Sequence, residues 1–362
     1  MTTIHNLAAL RAFEIDQNSA AIPLATRVFY MRQYLSTAIP LLVHDMWGEA
    51  ATLPKNSGDS VMWRRFKRLS QNTVPLTEGV TPNGRSIEFE NVVATVKQYG
   101  DFAVISDWVD MTFIDPIISK AVEALSEMSG ESLDSVTRDI INAGTNFYRS
   151  TADGNSPAYG AGARSTVNAC LTKKVLDAAV TKLVTAGAKM ITKMSGASPN
   201  TDTQPMDAAY ICIIHPHVTH SLRQTASGLT GDHGFLPRER YANTGVLYKG
   251  EVGKYGNVRF IETTNAKVWA DVGGGTNDGT DPATATYRSS GSTGCDVYSC
   301  LLFGREAYGV VKLAGAAQTF INKAGGPSDP IHQRNTVGYK AAKTAAILED
   351  DWIIRIEVAA LW

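Results

Sequence analysis

The chain has 362 residues, of which 44% are hydrophobic and 19% charged, and its 34 basic and 35 acidic side chains leave a formal net charge of −1. That length buries a core without disulfides or metals, and that charge balance argues against a broad basic stripe for nucleic acid. No run reaches the ~18 uninterrupted apolar residues of a membrane helix, and residues 1–17 lack the basic-then-apolar order of a secretory signal, so the product is expected to stay soluble where it is made.

Residues 1–23 mix polar and apolar types without period and read as an arm. Over residues 24–50, Val28, Met31, Tyr34, Leu35, Ile39 and Leu42 recur at helical spacing, with a break or kink at Pro40. Turn chemistry at 54–59 precedes an extended segment at 61–69, where Val61, Trp63 and Phe66 are apolar. After a break at 77–84, residues 86–105 are rich in strand formers, with a bulge or bend expected at Gly100-Asp101. Twenty extended residues span roughly 65 Å at ~3.3 Å each. So long a segment either reaches out to another subunit or bends and serves two regions.

A long helix is expected over residues 115–143, with Asp115 as N-cap, Pro116 at the first helical position and Gly130 inside it. Ile118, Val122, Leu125, Leu133, Val136 and Ile140 form its apolar stripe, and Asn142-Ala143-Gly144 ends it. A loop at 151–164 leads to a second helix at 166–190, then to a Ser/Pro/Asn linker at 195–205. A buried-type strand at 208–214 stops at His215-Pro216, and a short helix follows at 218–226. A strand pair at 245–250 and 252–263, a Gly-rich surface loop at 273–294, and strands at 297–303 and 307–311 come next. The chain closes with an antiparallel pair at 337–346 and 352–360. The order implies an α+β protein with several lobes.

Few residues advertise chemistry. His215, His217 and His220 fall within six residues and are the one candidate metal set, the basis of a metal-dependent hydrolase reading. The competing reading gives them ordinary hydrogen bonds where a strand end meets a helix N-terminus. HEXXH spacing, a GxSxG elbow, a P-loop and a strand–GxGxxG–helix are all absent. Cys170, Cys212, Cys295 and Cys300 form no CxxC pair and read as reduced structural thiols. No catalytic residue, cofactor or metal is assigned. Arg64, Arg65, Lys67 and Arg68 face Glu88 and Glu90 across the presumed hairpin, where ion pairing across strands or between subunits is the simplest account. Gly58, Gly79, Gly84 and Gly100 are candidate hinges.

The segment TVPLTEGVTPNGRSIEFENVVATVKQYGDFAVISDWVDMTFIDP (73–116), with the helix that follows, resembles the major capsid proteins of tailed bacteriophages, in particular the N-four-like podophage subfamily. IIHPHVTHSLR (213–223), GEVGKYGNVRFIETTNA (250–266) and RNTVGYKAAKTAAILEDDWIIRIEVAA (334–360) resemble the same subfamily, so the likeness runs from about residue 34 to the end. It implies the Hong Kong 97-type (Johnson) fold. Mapped onto this chain, that fold has an N-terminal arm and helix at 1–53, an E-loop hairpin at 54–108 and a P-domain with a spine helix at 109–205. An A-domain at 206–335 and strands at 336–362 returning to the P-domain complete it. It implies a structural, self-assembling protein and not an enzyme, located in the virion capsid after synthesis in the bacterial host. Pentamers and hexamers would build an icosahedral head around double-stranded DNA, with the E-loop charges as intersubunit contacts. Portal, scaffolding and decoration proteins are the further partners it implies, and no membrane. An encapsulin-like compartment shell is the alternative on the same fold.

Overall fold

The computed structural model describes residues 24–38, 41–66, 69, 71–76, 78–79, 81, 84–112, 116–151, 158–160, 162–192, 207–224, 234–241, 248–274, 287–291, 294–313, 318–322 and 333–362. The N-terminal arm, Pro40, Asp115, the 195–205 linker and most of the 273–294 loop lie outside these residues.

Helix α1 (Leu24–Ala38) is shorter than the run expected to residue 50. Residues 41–48 are turns instead, and β1 (Glu49–Leu53) follows them in a parallel ladder with a strand far along the chain. Strands β2 (Ser60–Phe66) and β3 (Phe89–Thr95) form an isolated antiparallel hairpin. After one residue, Val96, the chain continues as β4 (Lys97–Ser106), then the short α2 (Asp107–Thr112) and the long α3 (Ile117–Ile141). The long extended segment therefore bends and serves two regions. The bend falls at Val96; Gly100 lies inside a ladder of ten unbroken pairs.

Helix α3 spans about 37 Å at ~1.5 Å per residue. Its buried stripe is Ile118, Val122, Leu125, Ser126, Ser129, Gly130, Asp134, Thr137 and Ile141, at spacings of three and four. The stripe is partly polar, which an apolar count misses. Gly130 has a packing reason: a Cβ there would lie 2.9 Å from the Ala38 carbonyl oxygen, so glycine lets the end of α1 approach. The helix starts one residue later than expected, with Pro116 before the first helical residue and no capping side-chain bond.

Strands β5 (Phe147–Arg149) and β6 (Ala158–Tyr159), a 3-10 turn (Arg164–Thr166) and α4 (Lys173–Thr185) follow. The second helix thus begins later and ends earlier than the 166–190 expected. Next come β7 (Tyr210–Ile214), α5 (Pro216–Arg223), β8 (Leu236–Pro237), β9 (Glu251–Tyr255), β10 (Val258–Glu262) and β11 (Val268–Gly273). The chain ends with β12 (Cys295–Phe303), β13 (Tyr308–Leu313), β14 (Gln318–Asn322), β15 (Arg334–Ile347) and β16 (Ile353–Ala359).

Two large sheets organise these elements. One has the order β1-β13-β15-β14, with β4 on the other edge of β15. Its inner face presents Ile105, Val337 and Tyr339 to Tyr34 of α1 and to Ile118, Val122 and Leu125 of α3. The other runs β6-β5-β16-β12-β7-β10-β9-β8, with β11 on β12. Helices α4 and α5 cover one face of it, where Leu176, Leu183, Val218 and Leu222 meet Cys212, Ile214, Tyr298, Ile354 and Ile356. Each fully buried Leu, Ile or Phe contributes ~1.5–3 kcal/mol against exposure. Its other face joins Ile211, Ile213, Leu301, Phe303 and Ile353 to Tyr308 and Val310 of β13 and to Ile141 of α3, which locks the two sheets together.

The expected closing pair is a correction. β15 and β16 do not pair with each other: β15 is the hub of the five-stranded sheet, and β16 pairs with β12 and β5 in the nine-stranded one. Each gains a full ladder in its own sheet, which a terminal hairpin would forfeit. The sheets also cut across the expected lobes. β5, placed with the segment 109–205, and β16, placed with 336–362, both belong to the nine-stranded sheet, while β13 and β14, placed with 206–335, belong to the five-stranded one. All four cysteines are free and buried.

Candidate functional site

The hairpin is two-faced. In register, Val61 opposes Ala94, Trp63 opposes Val92, and Arg65 opposes Glu90. Strand alternation turns these toward the molecule, where Val61, Trp63 and Ala94 pack on Leu53 and Val311. Trp63 seats on Gly309: a Cβ there would lie 2.5 Å from the indole ring. The other face pairs Met62 with Val93, Arg64 with Asn91, and Phe66 with Phe89. Its apolar members are all exposed, Phe66 at 64% and Phe89 at 53%, and Leu69, Val74, Leu76 and Ile87 beyond the strands are exposed too. Clustered apolar exposure of this kind marks an interaction surface.

The hairpin charges divide by face. Arg64 lies outward, its guanidinium 4.8 Å from the Phe89 ring centre, and its Nε donates to Asn91 at 3.4 Å. Arg65 lies inward. It meets Glu90 at 3.7 Å, but its main anchors are Glu349 at 2.5 Å and the Leu348 carbonyl at 2.9 Å. Burial pushes the Glu349 carboxyl up, and Arg65 opposes this. Arg65 is therefore engaged within its own chain, tying the hairpin to the turn between β15 and β16. Glu88 is exposed, and Lys67 and Arg68 lie outside the described residues.

Of the hinge candidates, Gly58 (φ +90°) and Gly79 (φ +77°) adopt the left-handed backbone that favours glycine. Gly84 sits in open space with no positive φ. Gly100 is not placed as a hinge: it sits in the β4–β15 ladder, and a Cβ there would lie 2.6 Å from the Tyr339 carbonyl oxygen.

Beside the hairpin, β4 pairs only with β15 among the described residues, so its outer edge is open. The row Phe320–Gly338–Phe102 crosses the outer face of that sheet. With no side chain at its centre it lies at the bottom of an open cleft of about 550 Å³, also lined by Gln98, Thr336 and Lys340. Phe102, Val104, Trp108 and Met111 are exposed along this flank. An open edge is a template for pairing with another chain.

The histidines do structural work. His215 is the N-cap of α5: its Nδ1 accepts from the His217 backbone N–H at 3.2 Å, with Pro216 at the first helical position. Burial, then His217 and Arg288, lower its pKa to about 4, so it stays neutral and able to accept. His217 Nδ1 is 2.9 Å from the Tyr298 hydroxyl, and His220 Nδ1 is 3.2 Å from Gln224 Nε2. The His215 and His217 rings pack on each other, with centres 4.5 Å apart, and both on Tyr298, but their ring nitrogens bond to different groups, and among the described residues no three metal-capable side chains converge.

The strongest electrostatics lie elsewhere and were missed in the sequence. His44 and Asp134 are both fully buried, with the His44 backbone N–H donating to Asp134 at 2.8 Å and Nδ1 2.7 Å from its other oxygen. Burial alone would raise the Asp134 carboxyl, but His44 and Asn265 hold it below the ordinary value. Next to it, Asp45 meets Lys343 at 2.6 Å and accepts from Thr137 at 2.7 Å. These pairs fix the segment after α1 to α3 and β15. A second cluster centres on Glu357, fully buried, which binds Arg149 at 2.9 Å, Arg355 at 2.9 Å and Arg164 at 3.2 Å. Arg355 also donates to the Asn142 and Gly144 carbonyls at the end of α3, a favourable place for a cation. The signal available was Arg355 and Glu357 two apart within the apolar run IIRIEVA, which puts two charges on one face of a buried strand.

A family model described as phage capsid protein matches residues 103–325. No curated protein sequence matches the chain. Among solved structures, the head of Helicobacter pylori bacteriophage KHP40 is similar at 13% identity and TM-score 0.54, covering 99% of this chain and 98% of that one. The capsid of Ralstonia phage GP4 is similar at 15% identity and TM-score 0.54, covering 86% and 87%. The capsid of cyanophage Pam1 follows at 14% identity and TM-score 0.50, covering 85% and 86%. These likenesses carry the fold: the expected Hong Kong 97-type α+β architecture is what the chain adopts.

Proposed function

The chain belongs to the phage capsid protein family, and from that premise we propose that its β2–β3 hairpin and open β4 edge are the surfaces through which copies close into pentamers and hexamers of an icosahedral head. It is a phage major capsid protein, a structural component of the virion shell. The observation that carries the assembly reading is the outer face of the hairpin: Met62 with Val93, and Phe66 with Phe89, are apolar pairs on either side of Arg64–Asn91 that a solitary chain leaves in water. A neighbouring copy covering those pairs gains ~25 cal/mol per Å² of apolar area. Each contact can be weak, because a closed shell makes many at once.

On this reading Arg64, with Glu88, faces the neighbour, while Arg65 and Glu90 hold the hairpin at its set angle. Gly58 and Gly79 allow that angle to differ between pentamers and hexamers. The peripheral domain corresponds to the five-stranded sheet with α1 and α3, and the axial domain to the nine-stranded sheet with α4 and α5. Membership of the N-four-like subfamily is supported by the stretches 213–223, 250–266 and 334–360, which supply the β7–α5 passage, the β9–β10 hairpin and the β15–β16 segment. The protein performs no catalysis. Portal and scaffolding proteins, decoration proteins and the backbone of packaged double-stranded DNA are its further partners.

Electron microscopy of the expressed protein tests the assembly reading. Uniform shells, or rings of five and six, are the expected result. A chain that stays monomeric at all concentrations, also alongside the scaffolding protein of its phage, would overturn it.

A further inference from the structure

Three guanidiniums surround the one carboxylate of Glu357. Arg149 and Arg355 are almost wholly buried; Arg149 donates to Glu357 and to the Gly162 carbonyl, and Arg355 donates to Glu357 and to the carbonyls that end α3. Arg164 is different. Its Nε is held by Glu357 at 3.2 Å, and its guanidinium carbon lies over Trp269, 3.9 Å from the ring centre. Among the described residues neither of its two Nη nitrogens has a hydrogen-bond partner. The side chain is 32% exposed, enough for the fork to be reached from outside. Arg164 is therefore a guanidinium fixed by the indole and by one bond, with its two outer N–H groups presented to the surface. A fork pinned in this way loses little entropy when it binds an oxyanion in bidentate fashion.

The local charge favours such a ligand. Three cations and one anion leave +2 in a semi-buried place. The chain as a whole carries −1, so setting that +2 aside leaves −3 for the rest. A neighbouring copy is on balance acidic outside this cluster. The recess also selects the shape of the ligand. A fork two-thirds buried against an indole is reached by a projecting side chain more readily than by the backbone of a duplex.

We propose that Arg164, with Arg149 and Arg355 behind it, is an oxyanion site that receives an Asp or Glu carboxylate from a second copy of this chain. The proposal rests on the shell reading above and gives it a second contact, remote from the hairpin. The test compares shells of wild type, Arg164→Gln and Arg164→Lys, assembled without DNA. Free subunit in equilibrium with the shells is measured by sedimentation, and thermal unfolding is recorded on the unassembled chains. Expected is an about tenfold rise in free subunit for Arg164→Gln, a smaller rise for Arg164→Lys, which keeps the charge but loses the fork, and nearly unchanged unfolding of the unassembled chains. Equal free-subunit levels in wild type and Arg164→Gln would overturn the proposal and leave the shell reading standing. A difference that appears only when duplex DNA is enclosed would assign the fork to phosphate and overturn it too. An unassembled Arg164→Gln chain that unfolds early, in step with the shell effect, would place the partner within the same chain. Wild-type protein that forms no shell removes both readings.

Discussion

The centre of the nine-stranded sheet and the β2–β3 hairpin are built from similar residue types and behave oppositely. Every residue of β12 and of β16 is buried, because helices α4 and α5 cover one face and β13, α3 and the arginine cluster cover the other. In the hairpin only one face is covered, and Phe66, Phe89 and Val93 stand in water. Burial within the chain stabilises the first region, whereas the second stays unsatisfied until another molecule arrives. The difference separates residues that set the stability of the subunit from residues that set the stability of the shell, and substitutions can force the two apart.

The largest effect on the subunit is expected at Glu357. Glu357→Gln leaves Arg149 and Arg355 buried without their counter-charge. Removing the one counter-charge shared by such buried cations costs about 3–5 kcal/mol, read as a lowered urea midpoint of the unassembled chain. An unchanged midpoint would mean that the cluster is open to water and that the contrast between the two regions is drawn too sharply. Next comes Trp63, which belongs to both regions: it is part of the hairpin and seats on Gly309 of the five-stranded sheet. Trp63→Ala should cost about 2 kcal/mol, less than a fully buried indole because the side chain is only partly buried. It should also free the hairpin, seen as faster proteolysis between residues 67 and 88.

These residues also show what was legible in advance. The β12 segment announced itself through Val297, Leu301, Leu302 and Phe303, and α3 through its three-and-four spacing, because local pattern alone dictates a buried strand or a helical stripe. β11 and β14 were passed over: VWADVG carries an Asp and QTFIN is short and polar, so neither has a clean alternation. The pairing of β15 with β4 and of β16 with β12 could not be read, since a strand-forming sequence does not name its partner. The same holds for the site. That Arg64, Arg65, Lys67 and Arg68 lie across a hairpin from Glu88 and Glu90 was legible, but the Arg65–Glu90 register and the anchor of Arg65 on Glu349, which joins residues far apart in sequence, were not. His44 with Asp134, and Arg164 with Glu357, are likewise contacts between remote elements. The wide exposure of the hairpin's outer face needed the sheet order before it could be seen.

A smaller effect, graded by pH, is expected from the buried pair at the root of α3. The Asp134 carboxyl is held below its ordinary value in the folded state. Its contribution is therefore fully present above the unfolded carboxylate pKa, about 3.9, and is lost as pH falls from there through the lower folded value. Urea midpoints of the wild-type chain should decline below about pH 4 more steeply than those of Asp134→Asn. Parallel declines in the two proteins would show that other carboxylates control acid sensitivity, and that this pair is silent.

The smallest effect on the subunit should accompany the largest effect on the shell. Phe66→Ser with Phe89→Ser removes the exposed aromatic pair, whose rings lie 6.4 Å apart on the outer face. Neither ring supports the core, so the unassembled chain should keep its midpoint to within about 0.5 kcal/mol. Polar hydroxymethyl groups would leave no apolar row for a neighbour to cover, and shell yield by sedimentation should fall to background. The opposite pattern, with stability lost and shells retained, would mean that the hairpin folds onto its own chain in solution. A third pattern, with both preserved, would move the assembly contact to the β4 flank. There Phe102 and Val104 present the other exposed apolar row, and among the described residues the outer edge has no partner strand. Comparing Phe102→Ser with the hairpin double variant in one series then ranks the two surfaces, because both leave the buried sheet untouched.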